Sequence, residues 1–377
     1  MMNKKKLLKT FIDMARISSP SLQEGAVASF VKSELKKLGL KVYEDGVGRK
    51  IGGETGNIWG TLKGSIKGAP VVLLNAHLDT VSPAKDVRPK IKGGYVVSDG
   101  TTVLGADNKA GVAVILEVLK CLKENKVPHG DIKALFTIAE ETGLFGAKGV
   151  SKKLLKAGMG LTLDGGDVDE IINQAPSQNS IDAEVFGRAA HAGVRPEDGV
   201  SAIKAASEAI AKMELGRIDH ETTANIGIIK GGVATNIIPE HVMINGEARS
   251  HDPVKLSKQT SHMKACLSAA CKKHKARLKI KITPAYRSFV VKAGHRLLKL
   301  SIAAAKSLGI RPMVKKTGGG SDANIFNAMG VPTLILGAGA DRVHTRRERL
   351  SISHMEKSAE LVLEILRRIS HEKTKTV

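Results

Sequence analysis

The sequence predicts an α/β protein, with a doubly wound, mostly parallel sheet carrying an inserted α+β domain. Three observations predict it. Toward both ends of the chain, short continuous apolar runs alternate with stretches of helical periodicity, the pattern of doubly buried strands covered by helices. In the middle, apolar and polar residues alternate instead, as in antiparallel strands with one wet face. The 377 residues also exceed one ordinary domain and suit two.

Phe11, Ile12, Met14, Ala15 and Ile17 recur at helical spacing. The basic start, Lys4-Lys5-Lys6, therefore leads into an amphipathic helix and not into a signal peptide. Val71–Leu74 reads as a buried strand. Ala110–Leu122 is the next helix, with Val112, Ile115, Val118, Leu119 and Leu122 on its apolar side. Ile132–Ile138 and Leu161–Leu163 are further strands. Downstream, Ile302–Leu308 is helical, Ala323–Ala328 opens another helix and Val331–Leu336 is a strand. A helix from about His354 to Ile369 closes the chain. Between these lie the alternating segments Ser180–Val185, Ala224–Ile229 and Val242–Ala248, separated by helical stretches at Val200–Met213 and Val254–Lys272. The expected domains are 1–176 with 290–377, and an inserted 177–289.

Composition narrows the function classes. At 3% aromatic residues, the chain has little material for stacking on bases. The formal net charge of +22 comes from scattered positions: Lys152, Lys153 and Lys156, the stretch Lys272 to Lys281, and Arg346 to Arg349. No arginine-rich arm or zinc-finger spacing accompanies them, so they read as solvated faces and no nucleic-acid partner is expected. No apolar run is long enough to span a bilayer, so no membrane partner is expected either. Cys121, Cys266 and Cys271 are odd in number and form no CxxC pair. Cys121 reads as a plain thiol in a helix, and the usage fits a reducing cytoplasm.

Chemistry-bearing residues recur just after the apolar runs. His77-Leu78-Asp79 follows Val71–Leu74, Glu140-Glu141 follows Ile132–Ile138, and Asp164 follows Leu161–Leu163. His344 lies one glycine-rich loop after Val331–Leu336, and Asp107 precedes the Ala110–Leu122 helix. Ligands of open α/β sheets bind beyond the carboxyl ends of the strands, so this order gathers two imidazoles and several carboxylates at one rim. Carboxylates crowded into a dry cleft need protons or cations to neutralise them. Imidazole with carboxylate suits zinc, cobalt or manganese. The count suits two ions sharing one carboxylate, a pair usually about 3.5–4 Å apart.

Ala76–Thr80, Gly105–Gly111, Glu140–Gly143 and Leu163-Asp164 resemble the motifs of the co-catalytic metallopeptidases, the family of peptidase T, glutamate carboxypeptidase and aminoacylase. Gly187–Gly193 and Thr235–Glu240 are similar to that family's inserted lid and dimerisation domain. Gly319–Ala323 and Val343–Thr345 are similar to its closing segment. The similarity spans nearly the whole chain and is nearest the peptidase T-like branch.

The resemblance implies a metal-dependent exopeptidase that hydrolyses short peptides in the manner of a tripeptide aminopeptidase. Its cofactors would be two divalent metal ions, zinc foremost, with cobalt or manganese as alternatives. Asp107 would bridge them, His77 and Asp164 completing one site and Glu141 and His344 the other. Glu140 would be the general base, Asp79 would orient His77, and His191 would donate to the developing oxyanion. A cis peptide is implied at Asp107–Asn108. Asn236 and Arg249 would hold substrate, although Arg249 could equally close a salt bridge within the lid sheet. The resemblance also allows a homodimer formed through the lid domain. Gly318 departs from peptidase T, which carries an arginine before its Gly-Gly-Thr-Asp segment. Lys315 or Lys316 would replace that fork only as a flexible point charge.

Three other readings compete. An N-acyl amino acid deacylase or carboxypeptidase-like enzyme would use the same machinery on other amides. A nucleic-acid binder on a dead hydrolase fold would explain the charge, but the ligand and base positions are all filled. A serine or cysteine hydrolase would need a GxSxG elbow or cysteine motif that the chain lacks.

Overall fold

The computed structural model describes residues 2–371, which fall into two compact units. The larger takes the chain up to Gln174, Val290–Lys316 and everything from Ser321; the smaller takes Ala175–Phe289 with Thr317–Gly320.

The main sheet of the larger unit runs, side by side, through Lys41–Glu44, Ile58–Leu62, Ile132–Thr137, Val72–His77, Met159–Gly165, Thr333–Gly337 and Glu170–Ala175. Val72–His77 is parallel to both of its neighbours, and Thr333–Gly337 is parallel to Met159–Gly165. Ile58–Leu62 runs antiparallel to Ile132–Thr137, and Glu170–Ala175 antiparallel to Thr333–Gly337. The centre is therefore parallel and doubly covered. Leu73 and Leu135 pack with Phe326 and Val331 of the Asp322–Ala328 region. Val72 and Leu74 point to the opposite side, where the Ala106–Glu124 helix packs. Fully burying such side chains stabilises by about 1.5–3 kcal/mol each, which lets this core hold a rim of mutually repelling carboxylates.

One close approach sets that rim. A Cβ on Gly111 would lie 2.1 Å from the Leu163 carbonyl oxygen. Only glycine lets the start of the helix, with Asp107, lie against the end of the strand that carries Asp164.

A second, four-stranded sheet joins Ala340–Asp341, Arg349–Ser351, Tyr95–Val97 and Lys90–Lys92. Its strands are too short to leave a periodic signal in the sequence. Arg349 binds Asp341 Oδ2 at 2.6 and 2.7 Å and lies 4.4 Å from the centre of the Tyr95 ring. This sheet fixes both ends of the loop that bears His344.

The smaller unit is an antiparallel sheet in the order Gly216–Arg217, Thr222–Gly231, His241–Ser250, Ser177–Phe186 and Arg277–Tyr286. Helices Ala202–Ala211 and Pro253–Lys273 cover it, and Val185, Ala205, Ile244 and Leu267 lie in its core. The basic stretch Lys272 to Lys281 is divided. Its start ends a helix, and from Arg277 it becomes an edge strand with Leu278, Ile280 and Ile282 against the core. Lys279 and Lys281 point outward, where charge discourages pairing with another strand. Cys121, Cys266 and Cys271 are free thiols. Among the described residues no helix is long and apolar enough to cross a membrane.

Candidate functional site

The carboxyl-terminal rim of the main sheet brings together His77, Asp79, Asp107, Glu140, Glu141, Asp164 and His344. His77 ends its strand, Asp164 lies at the end of Met159–Gly165, and Glu140 and Glu141 leave Ile132–Thr137 through a tight turn. Asp107 heads the Ala106–Glu124 helix, where the Asp107–Asn108 peptide is cis and the backbone is not yet helical.

Asp107 stands between the two imidazoles. Its Oδ1 is 3.1 Å from His77 Nε2, and its Oδ2 is 3.2 Å from His344 Nε2. Asp164 Oδ1 is 3.4 Å from His77 Nε2, and Glu141 Oε1 is 3.0 Å from His344 Nε2. Donor atoms of His77, Asp107 and Asp164 all lie within 4.8 Å of one another, as do those of Asp107, Glu141 and His344. Each of these two nitrogen-and-oxygen triads, which share the Asp107 carboxylate, could hold a metal ion. Glu140 reaches the same cluster through its proximity to His77 and Glu141.

The surroundings hold these groups in place. His77 Nδ1 meets the Asp79 backbone carbonyl at 2.9 Å and the Asp79 carboxylate at 3.4 Å. The carbonyl thus shares the orienting role that the resemblance gives to the Asp79 side chain. That side chain is fully buried and also accepts the Glu140 N–H at 3.0 Å, the Glu141 N–H at 3.1 Å and the Ser21 hydroxyl at 2.6 Å. Glu24 accepts the Ala139 N–H at 2.9 Å, and Asn57 Oδ1 the Ile138 N–H at 3.1 Å. Four consecutive amides, from Ile138 to Glu141, are therefore gripped by side chains, and Ala139 is held at a φ of 49°, a strained value for a residue with a Cβ. Asp322 lies buried nearby, accepting from Thr137 Oγ1 and from Asn75 Nδ2.

The three remaining predicted residues belong to the smaller unit. His191 is exposed, and its Nδ1 accepts the Gly193 N–H at 3.2 Å. Asn236 is exposed, and its carbonyl accepts the Ala192 N–H at 2.9 Å. Arg249 turns its fork onto Glu247 at 2.8 and 3.0 Å. A Cβ at Gly318 would meet nothing within 4 Å, so space does not explain the absence of a side chain there.

Ser21, Glu24, Asn57 and Glu348 escaped sequence reasoning because each acts on a loop far away in the chain. Glu348 had a faint signal as the lone acid among Arg346, Arg347 and Arg349.

Charge in the cluster is strongly coupled. Hydrogen bonds that the ring donates to the Asp107 and Glu141 carboxylates push His344 up to about 10. At His77, burial works downward, but the Asp107, Asp164 and Asp79 carboxylates outweigh it and hold the imidazole well above its usual value. Burial pushes Asp164 up to about 7, against the pull of His77. Burial also holds Glu140 well above the usual carboxyl range, with Asp164 adding to the rise and His77 opposing it.

A pH dependence follows for the metal-free protein. A group whose folded pKa is raised stabilises the fold fully below its unfolded pKa, and that contribution is lost as pH climbs through the folded value. For Asp164 the loss runs from the ordinary range near about 4 up to about 7; for His344 it runs from about 6.5 up to about 10. Metal binding must displace these same protons. Melting of chelator-treated and zinc-loaded protein between about pH 5 and 8 should show a gap that widens with pH. A gap that narrows would contradict this protonation pattern.

Residues 73–368 match the peptidase family M20/M25/M40. The uncharacterised protein YqjE of Bacillus subtilis is 41% identical, over 97% of this chain and 99% of its own. Two solved structures are also similar. A tripeptidase of Staphylococcus aureus is 38% identical with a TM-score of 0.91, over 99% of this chain and 100% of its own. The aminopeptidase PepT of Bacillus cereus is 39% identical with a TM-score of 0.86, over 98% and 99%. With the family match running across both units and the clustered rim, this chain belongs to the peptidase family M20/M25/M40, in its peptidase T-like branch.

Proposed function

We propose that this peptidase is a dinuclear metal-dependent exopeptidase that removes residues from short peptides with a free amino end, in the reducing cytoplasm. The observation that carries the reading is Asp107, with one carboxylate oxygen beside His77 and the other beside His344. The similar tripeptidase and aminopeptidase structures support the substrate class.

When bound, two zinc-like ions would supply the Lewis acidity that activates a water and polarises the scissile carbonyl. His77 and Asp164 would hold one ion, Glu141 and His344 the other, with Asp107 shared. Glu140, whose carboxyl burial holds well above the usual carboxylate range, accepts the proton of the attacking water and delivers it to the leaving amine. Asp79 keeps the Glu140-Glu141 backbone and the His77 ring in register. Gly193 donates to His191 Nδ1, which leaves Nε2 as the ring nitrogen to serve the developing oxyanion. Asn236 and Arg249 take the substrate-holding roles, Arg249 by exchanging Glu247 for a peptide carboxylate.

A substrate panel tests the reading: tripeptides with a free amine, the same peptides N-acetylated, and N-acyl amino acids, each with and without a chelator. The free-amine tripeptides should be hydrolysed, and the chelator should abolish the reaction. Cleavage of the blocked substrates alone would make the enzyme a deacylase or carboxypeptidase-like hydrolase instead.

A further inference from the structure

The loop that presents Asp107 hangs on a residue with no part in the chemistry above. Glu348 is 2% exposed, and its carboxylate accepts three backbone amides. Oε2 takes Leu104 N–H at 2.7 Å and Gly105 N–H at 2.8 Å; Oε1 takes the N–H of Asp107 itself at 2.9 Å. Glu348 lies four residues beyond His344 in the chain, and its own N–H closes a turn onto the Thr345 carbonyl at 3.0 Å. The strand Arg349–Ser351 begins at the next residue and is paired to Tyr95–Val97 and Ala340–Asp341. One short, sheet-anchored segment thus carries His344 and also grips the backbone of the residue that faces both imidazoles.

We infer that Glu348 is a positioning residue: it fixes Leu104–Asp107 so that the two oxygens of Asp107 meet both imidazoles, and it couples that pose to the segment bearing His344. The inference rests on the two-metal reading of the cluster. A carboxylate fits the task because both of its oxygens accept and neither donates, and bonds from amides to a charged acceptor are the stronger kind. Glutamine in the same shape offers one oxygen and one NH2. Whichever way that amide turns, its donor faces either the Asp107 N–H or the Leu104 and Gly105 pair.

Zinc titrations against a competing chelating dye, on wild type, Glu348→Gln and Glu348→Asp, test the role alongside circular dichroism and tripeptide turnover. Glu348→Gln should keep the fold but bind at least one ion about 10–100-fold more weakly, as loss of a partner behind a metal ligand does. Its activity should recover as zinc is raised. Glu348→Asp, which keeps the charge on a shorter arm, should fall between the two. A Glu348→Gln protein with lower thermal stability but wild-type zinc affinity would overturn the inference, making the residue ordinary fold support. If that variant does not fold, Glu348→Asp decides alone, and an affinity equal to wild type overturns the inference. Wild-type protein that holds no ion would bring down both this inference and the two-metal reading. Ions held equally by wild type and variant would bring down this inference only.

Discussion

Glu140→Ala should retain both metal ions and lose nearly all turnover. The buried carboxyl of Glu140 is 9% exposed, and it reaches the cluster without making any of the close imidazole contacts of Asp107, Asp164 and Glu141. Its removal takes away the group suited to receive the proton of the attacking water, while both donor triads stay intact. General acid–base catalysis contributes about 10²–10⁴-fold, so kcat should fall by that order with little change in metal content. Metal analysis and steady-state kinetics on the same preparation check this. A variant that has lost an ion would mean that Glu140 is a ligand and that the base is its neighbour, Glu141.

Asp107→Ala should act at the other end of the sequence of events by emptying the centre. Without its carboxylate, one side retains His77 with Asp164 and the other Glu141 with His344, two protein ligands where catalytic zinc sites use three. Both ions should be lost on dialysis, and hydrolysis should fall with them. Thermal scans give a second readout. An ion at about 100 times its Kd stabilises a protein by about 2.7 kcal/mol, a gain that wild type should show on adding zinc and Asp107→Ala should not. Equal stabilisation of the two proteins would mean that zinc binds elsewhere.

Much of this architecture is legible in the sequence because it rests on local patterns. The apolar run at Val71–Leu74 marks the strand that ends at His77, and the runs before Glu140 and Asp164 do the same for theirs. With a parallel sheet inferred, the common location of these residues follows from topology alone. The alternation around Ser180–Val185 and Val242–Ala248 likewise marks the antiparallel strands of the smaller unit.

What the sequence hid acts over long distances or through backbone. Asp79 grips the amides of Glu140 and Glu141, Glu24 that of Ala139, and Glu348 those of Leu104, Gly105 and Asp107. An acceptor serving a distant N–H has no spacing rule, so its purpose appears only once the chain is folded. The strands flanking the His344 loop are two and three residues long, too short for periodicity to register. Arg249 illustrates the limit in another way, since a fork suited to a substrate carboxylate is equally suited to Glu247.

Anomalous diffraction from crystals grown with zinc, recorded at the zinc absorption edge, tests the central claim most directly. The account predicts two peaks about 3.5–4 Å apart on either side of the Asp107 carboxylate, one against His77 and Asp164 and the other against Glu141 and His344. A rim without peaks, or zinc bound only at residues outside this cluster, would contradict it.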